Sequence, residues 1–157
     1  MEVPSKTMLA GLTGAAAVAA SLLLPYENVK LHAYYDPPHV ATICAGHTKG
    51  VTINTSATPH QCAVWFGKDV AYAQAAVDNL VTVKLSDETK AAFISFVFNA
   101  GQGNFARSSM LRKLNAGDTV GACNSLSAWV FSDGKKLNGL VRRRAAERAL
   151  CLKGIAK

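Results

Sequence analysis

Hydrophobic and polar positions change rhythm several times along this chain. Residues 7–26 carry no charge, twenty positions that separate Lys6 from Glu27. At 31–35 and again at 40–44 the chain turns to aromatic and β-branched residues on either side of Asp36-Pro37-Pro38-His39, which predicts two short strands joined by a turn. Val51-Thr52-Ile53 predicts a third strand. Thr58-Pro59-His60-Gln61 is a capping box with proline at the first helical position. It predicts a helix running to Leu80 with an apolar face of Val64, Trp65, Ala71, Ala75 and Val77. Ser86-Asp87-Glu88 predicts the start of another helix, ended by Gly101 and Gly103. Phe93, Ile94, Phe96, Val97 and Phe98 make it apolar on most sides, as suits the centre of a core. Short helices are predicted after Ser108, Asp118 and Asn138.

At ~1.5 Å per residue, a helix over 7–26 would be long enough for a hydrocarbon core ~30 Å thick. Its composition is poor in leucine for an anchor. Gly11, Gly14, Ala15, Ala16, Ala17, Ala19 and Ala20, with Thr7, Thr13 and Ser21, make insertion only weakly favourable. Three readings stand side by side. One is a cleaved signal peptide, with Ala17 and Ala19 at an A-x-A-like site. Another is a buried core helix whose small residues allow close packing. The third is a segment that enters the membrane and later leaves it.

A length of 157 residues bounds one domain with a short appendage. The charge of +7 and pI near 9.4 imply an anionic partner: nucleic acid, a membrane surface or bacterial cell wall. No basic run interleaves with aromatics, and Arg142-Arg143-Arg144 sits in a helical pattern with Leu140, Val141 and Ala145, so nucleic acid is disfavoured. Cys44, Cys62, Cys123 and Cys151 lack metal-ligand spacing, so neither zinc nor any other cofactor is expected. Four cysteines allow three disulfide connectivities, or four free thiols in a reducing compartment.

The chemistry concentrates in residues 25–48, PYENVKLHAYYDPPHVATICAGHT, where Glu27, Asp36 and Thr42 are separated by eight and then five residues. A Glu beside an apolar segment can hold its proton near neutral pH, while an Asp beside a polar turn stays ionised. Such a pair suits glycosidic bond cleavage: one carboxyl protonates the leaving oxygen, and the other directs water or attacks carbon. The other glutamates have bland readings. Glu2 is terminal, Glu88 sits at a helix start, and Glu147 is placed to pair with Arg143 or Arg148. Ser108 and Ser109 read as helix caps rather than nucleophiles, and His32, His39 and His60 as surface residues.

This stretch, ending in Gly46-His47-Thr48, resembles the catalytic signature of the phage lysozyme (endolysin) family of muramidases, which shares its Glu, Asp and Thr spacing. The resemblance continues through Phe96-Val97-Phe98-Asn99-Ala100-Gly101, through 108–118, and through Gly139-Leu140-Val141-Arg142-Arg143-Arg144 with Glu147-Arg148. It covers about 25–154. It implies an α+β, lysozyme-like fold in which a long helix joins a small β-containing lobe to a larger helical lobe, with a cleft between them. It also implies a monomeric peptidoglycan hydrolase with Glu27 as general acid, and Asp36 either as base for a water held with Thr42 or as nucleophile; a lytic transglycosylase and a non-enzymatic membrane- or wall-binding protein are the alternatives. Asn99, Gly101, Gln102 and Arg142 would bind substrate, with Arg143 and Arg148 either on the anionic stem peptide or on a solvated face. His47 would be structural, paired with Asp69. The expected lobes favour disulfides Cys44 to Cys62 and Cys123 to Cys151.

Three positions depart from the family pattern: Asn28 for a usual Gly, His39 for a turn Gly, and Cys44-Ala45 for a Gly-aromatic pair. One branch of the family carries a signal-anchor-release segment, and residues 6–27 resemble it. That implies residues 1–24 as the segment and 25–157 as the catalytic domain. It further implies export, tethering at the inner membrane, then release into the periplasm with activation by refolding.

Overall fold

The computed structural model describes residues 3–36 and 39–156. The predicted turn falls partly on Pro37 and Pro38, outside the described residues. The uncharged N-terminal run forms two helices, α1 (Ser5–Leu9) and α2 (Gly14–Leu23), followed by a 3-10 turn at Leu24–Tyr26. Between them Gly11 (φ +80°) and Gly14 (φ +56°) take left-handed backbone, which glycine adopts without steric cost, and this divides the run. None of the described helices is long and apolar enough to cross a membrane. Ala15, Ala16, Ala19, Ala20 and Leu23 form one buried face of α2.

An antiparallel hairpin follows, β1 (Lys30–Asp36) and β2 (Val40–Cys44), with Tyr34 opposite Thr42 and Asp36 opposite Val40. The third strand predicted at 51–53 is absent. Turns closed by Val51 N–H to Thr48 O and Thr55 N–H to Thr52 O occupy that stretch. The chain meets β1 only afterwards, where Ala33 N–H bonds Thr55 O and Ala57 N–H bonds Leu31 O.

The long helix α3 (Pro59–Leu80) opens on the expected capping box: Thr58 Oγ1 accepts from Gln61 N–H, and the Gln61 amide oxygen accepts from Thr58 N–H. Its buried face is Cys62, Phe66, Val70, Ala73, Ala76 and Val77. That corrects the sequence expectation. Val64 is 41 % exposed and Ala71 and Ala75 face solvent, because the Cys44–Cys62 disulfide fixes the rotation of the helix from its first turn. α4 (Asp87–Ala100) is the centre of the core, buried continuously from Ala91 to Val97, and α2, α3 and α8 (Asn138–Ile155) pack around it.

Gly101 caps α4 at φ +92°, whereas Gly103 lies inside the next helix, α5 (Gln102–Ala106). α6 (Ser109–Asn115) and α7 (Thr119–Ser125) start at the expected caps, Ser108 and Asp118. A two-residue hairpin, β3 (Phe131–Ser132) with β4 (Lys135–Lys136), precedes α8. α8 has 18 residues and is not short: its Ala, Arg, Leu and Glu are strong helix formers, and no breaker lies between Gly139 and Gly154. Cys123–Cys151 ties α7 to α8, so both favoured disulfides are present.

Since Leu23 is fully buried, Leu23→Ala should cost ~2–5 kcal/mol of unfolding free energy in urea denaturation. An unchanged midpoint would mean that α2 is not part of the core.

Candidate active site

Glu27 lies directly after the 3-10 turn and donates its N–H to Leu24 O at 3.2 Å. Its side chain is 17 % exposed, and Arg143 Nη2 on α8 donates to Oε1 at 2.9 Å. Arg143 is itself buried under the Tyr26 ring, 5.6 Å from the centroid, and its Nε has no partner among the described residues. This corrects the sequence expectation of Arg143 on a solvated face or a stem peptide. On the other side of the carboxyl lies Gly46. A Cβ there would lie 3.4 Å from Oε2, an ordinary contact, whereas φ of +82° is backbone that favours glycine.

The loop carrying Gly46 is held at several points. Ile43 and His47 exchange two backbone hydrogen bonds of 2.9 Å. His47 Nδ1 donates to Asp69 Oδ2 at 2.8 Å, since a carboxylate can only accept, and the imidazole stacks on Trp65 at 4.9 Å between centroids. Cys44, at φ +59°, is tied to α3 by its disulfide.

Asp36 ends β1 and is exposed. Tyr34, two residues earlier on the same strand face, sits across from Thr42. Burial raises the Tyr34 phenol above its ordinary pKa, and the negative charges of Asp36 and then Glu27 add to the rise, so one ring senses both carboxylates. Thr42 is fully buried and donates its hydroxyl to Val40 O at 2.9 Å, which places the hydroxyl out of contact with solvent. Sequence reasoning missed Tyr34, although its alternation with Asp36 was the available signal.

Gly46, Thr48 and Lys49 face Tyr72, Phe98, Gly101 and Gln102 across a groove of about 230 Å³. Asn99 borders a different groove with Trp129. Arg142 is exposed on α8, and Arg148 donates to Asn124. Glu147 pairs with Arg144 rather than with Arg143 or Arg148, because the i, i+3 step points both side chains into the core. Burial pushes the Glu147 carboxyl up and the Arg144 guanidinium down, each partly offset by the other's charge. His32, His39 and His60 are exposed, and Ser108 caps α6 through Leu111 N–H.

A two-stranded lobe and a helical lobe joined by a long helix, with a carboxyl fixed beside a groove, define a lysozyme-like glycoside hydrolase. The chain belongs to the phage lysozyme family, whose model matches residues 25–147, and it is a muramidase. The SAR-endolysin of Enterobacteria phage PA-2 is 36 % identical over 157 residues, covering 95 % of both chains. That of Bacteriophage PS119 is 35 % identical over 156 residues, covering 94 % of this chain and 93 % of its own. The active form of the P1 phage endolysin Lyz superposes with a TM-score of 0.80 at 29 % identity, over 88 % of this chain and 84 % of that one. The secreted inactive form of Lyz reaches 0.56 at 31 % identity, over 68 % and 76 %.

Asp36→Asn should bring the Tyr34 pKa down towards that of a free phenol, read by NMR titration of ring-labelled tyrosine. If the titration does not move, the Asp36 charge is not at the site.

Proposed function

We propose that the chain is an endolysin muramidase that hydrolyses the β-1,4 bond between N-acetylmuramic acid and N-acetylglucosamine in peptidoglycan, and that it becomes active when its N-terminal segment leaves the inner membrane. Glu27 gives its proton to the glycosidic oxygen as that bond breaks. Asp36 takes a proton from a water, and the water oxygen bonds to the anomeric carbon from the opposite face; for Thr42 to orient that water, its hydroxyl, buried against Val40 O, must first be uncovered. The product is inverted. Inversion is preferred to a covalent glycosyl-enzyme because a hydroxyl that orients water has little purpose in direct carboxylate attack. Arg143 fixes the rotamer of Glu27 between α8 and Gly46.

The observation that carries the switch is the position of Glu27 four residues after Leu23, which is fully buried at the end of α2. While residues 7–24 span a bilayer, Glu27 is held at the headgroups, far from Arg143 and Gly46. Once released, the same residues bury their small-residue face against α4, and the chain leaving α2 delivers Glu27 to its partners. Gly11 and Gly14 suit both states, a membrane helix and the broken pair α1–α2. The higher similarity to the active form of the P1 endolysin than to its inactive form supports the docked arrangement as the working one. A cleaved signal peptide is disfavoured, because its loss would remove Ala15, Ala16 and Ala19 from the core. No cysteine lies in residues 1–24, so activation proceeds without thiol exchange in this segment. The exported protein is thus tethered first and periplasmic later.

In a turbidity assay on outer-membrane-permeabilised Gram-negative cells, Glu27→Gln should lose hydrolysis by several orders of magnitude, and wild-type products should carry one added water. Anhydro-sugar products would indicate a lytic transglycosylase instead. A chain lacking residues 1–24 should be inactive, and wild-type rates from it would refute the switch.

A further inference from the structure

A buried polar chain runs through the helical lobe, and the bond-breaking step makes no use of it. Glu147 is fully buried on α8. Ser95 Oγ donates to its Oε2 at 2.6 Å, and Arg144 Nη1 donates to Oε1. Arg144 is 2 % exposed; its Nε donates to Trp129 O at 2.9 Å, and its guanidinium lies 4.9 Å from the Phe96 ring centroid. The remaining nitrogen, Nη2, donates to Asn99 Oδ1. Every guanidinium nitrogen and both carboxylate oxygens are therefore engaged.

Desolvating such an ion pair can cost as much as its attraction returns, so stability is a weak reason for its presence. Its geometric effect is definite. A guanidinium has donors only, so the Asn99 amide must turn Oδ1 inward and Nδ2 outward. Asn99 is exposed and no described residue accepts from Nδ2. The amide borders a groove of about 350 Å³ whose apolar walls include Trp129, Phe131 and Leu137. Phe131 is 60 % and Leu137 43 % exposed, large apolar surface beside one aimed donor.

We propose that Glu147 and Arg144 are positioning residues that hold Asn99 Nδ2 as a fixed hydrogen-bond donor to an amide carbonyl of the murein strand, whose alkyl neighbours pack on Phe131 and Leu137. The inference rests on the muramidase reading above. Two parts of murein carry this chemistry, the sugar N-acetyl groups and the peptide units of the stem. The groove takes one amide carbonyl flanked by small apolar groups, and the experiment separates the two sources.

Binding is measured in the Glu27→Gln background, without turnover, on soluble glycan strands with their stem peptides and on strands stripped of them. Asn99→Asp keeps the size of the side chain and gives Arg144 a carboxylate, but it replaces the outward donor with an acceptor. It should weaken binding on the order of tenfold and leave the melting temperature unchanged or higher. A loss on both strand types assigns the N-acetyl group, and a loss only with stems assigns the peptide. With Glu27 intact, Asn99→Asp should raise KM and spare kcat.

Glu147→Gln tests positioning. It should weaken binding when Asn99 is present and add nothing further in the Asn99→Asp background, while its stability cost is similar in both. Asn99→Ala, checked by the same melting curve, replaces Asn99→Asp if the latter does not fold. Unchanged binding of both strand types, or an equal binding cost of Glu147→Gln in both backgrounds, overturns the proposal. Hydrolysis persisting in the Glu27→Gln background would refute the assignment of the acid, whereas the binding differences test the Asn99 donor.

Discussion

The docking of α2 onto α4 is the constraint from which the rest follows. Ala15, Ala16, Ala19 and Ala20 bring the two helices close, and Leu23 closes the far end of the contact. Fully burying a leucine is worth ~1.5–3 kcal/mol, and alanines add less each. A folded domain has a margin of only ~5–15 kcal/mol, so the face of α2 is a sizeable part of it. Under the proposed membrane tethering, the same small residues would make the segment a weak anchor. In the proposed switch, one composition serves both environments.

From that contact the site assembles across the whole chain. Glu27 is delivered by the N-terminal segment, Gly46 by the hairpin loop, and Arg143 by the last helix. The three adjacent arginines take three environments because the helix turns about 100° per residue. Arg142 faces solvent, Arg143 faces Glu27, and Arg144 enters the core to meet Glu147 and Asn99. The hairpin loop depends on the Cys44–Cys62 tie and on the His47 to Asp69 contact, both anchored on α3. α3 is therefore the rigid bar against which the two lobes are set.

Local signals were legible in the amino-acid sequence. The two strands, the Thr58 capping box, the serine and aspartate caps and the central apolar helix all follow from short-range chemistry that needs no partner. The rotation of α3 was not, because alanine is ambiguous in a polar-apolar pattern; Ala71 and Ala75 face water while Ala73 and Ala76 are buried. The disulfide that sets this rotation is a long-range fact. The strand expected at 51–53 was lost to turn bonds made by Thr48 and Thr52, which β-propensity alone does not weigh. Glu27, Asp36 and Thr42 stood out by spacing, yet the partner of Glu27 lies 116 residues away, and no local pattern distinguishes Arg143 from its neighbours.

The most direct test of the central claim compares one protein in two places. Full-length chain is reconstituted in vesicles, and murein hydrolysis is measured while the N-terminal segment is in the bilayer and again after release, with hydrogen exchange at Ala19, Ala20 and Leu23 followed in parallel. The account predicts no hydrolysis from the tethered protein, and full activity appearing together with protein-core protection of those amides on release. Equal hydrolysis from tethered and released protein would contradict it.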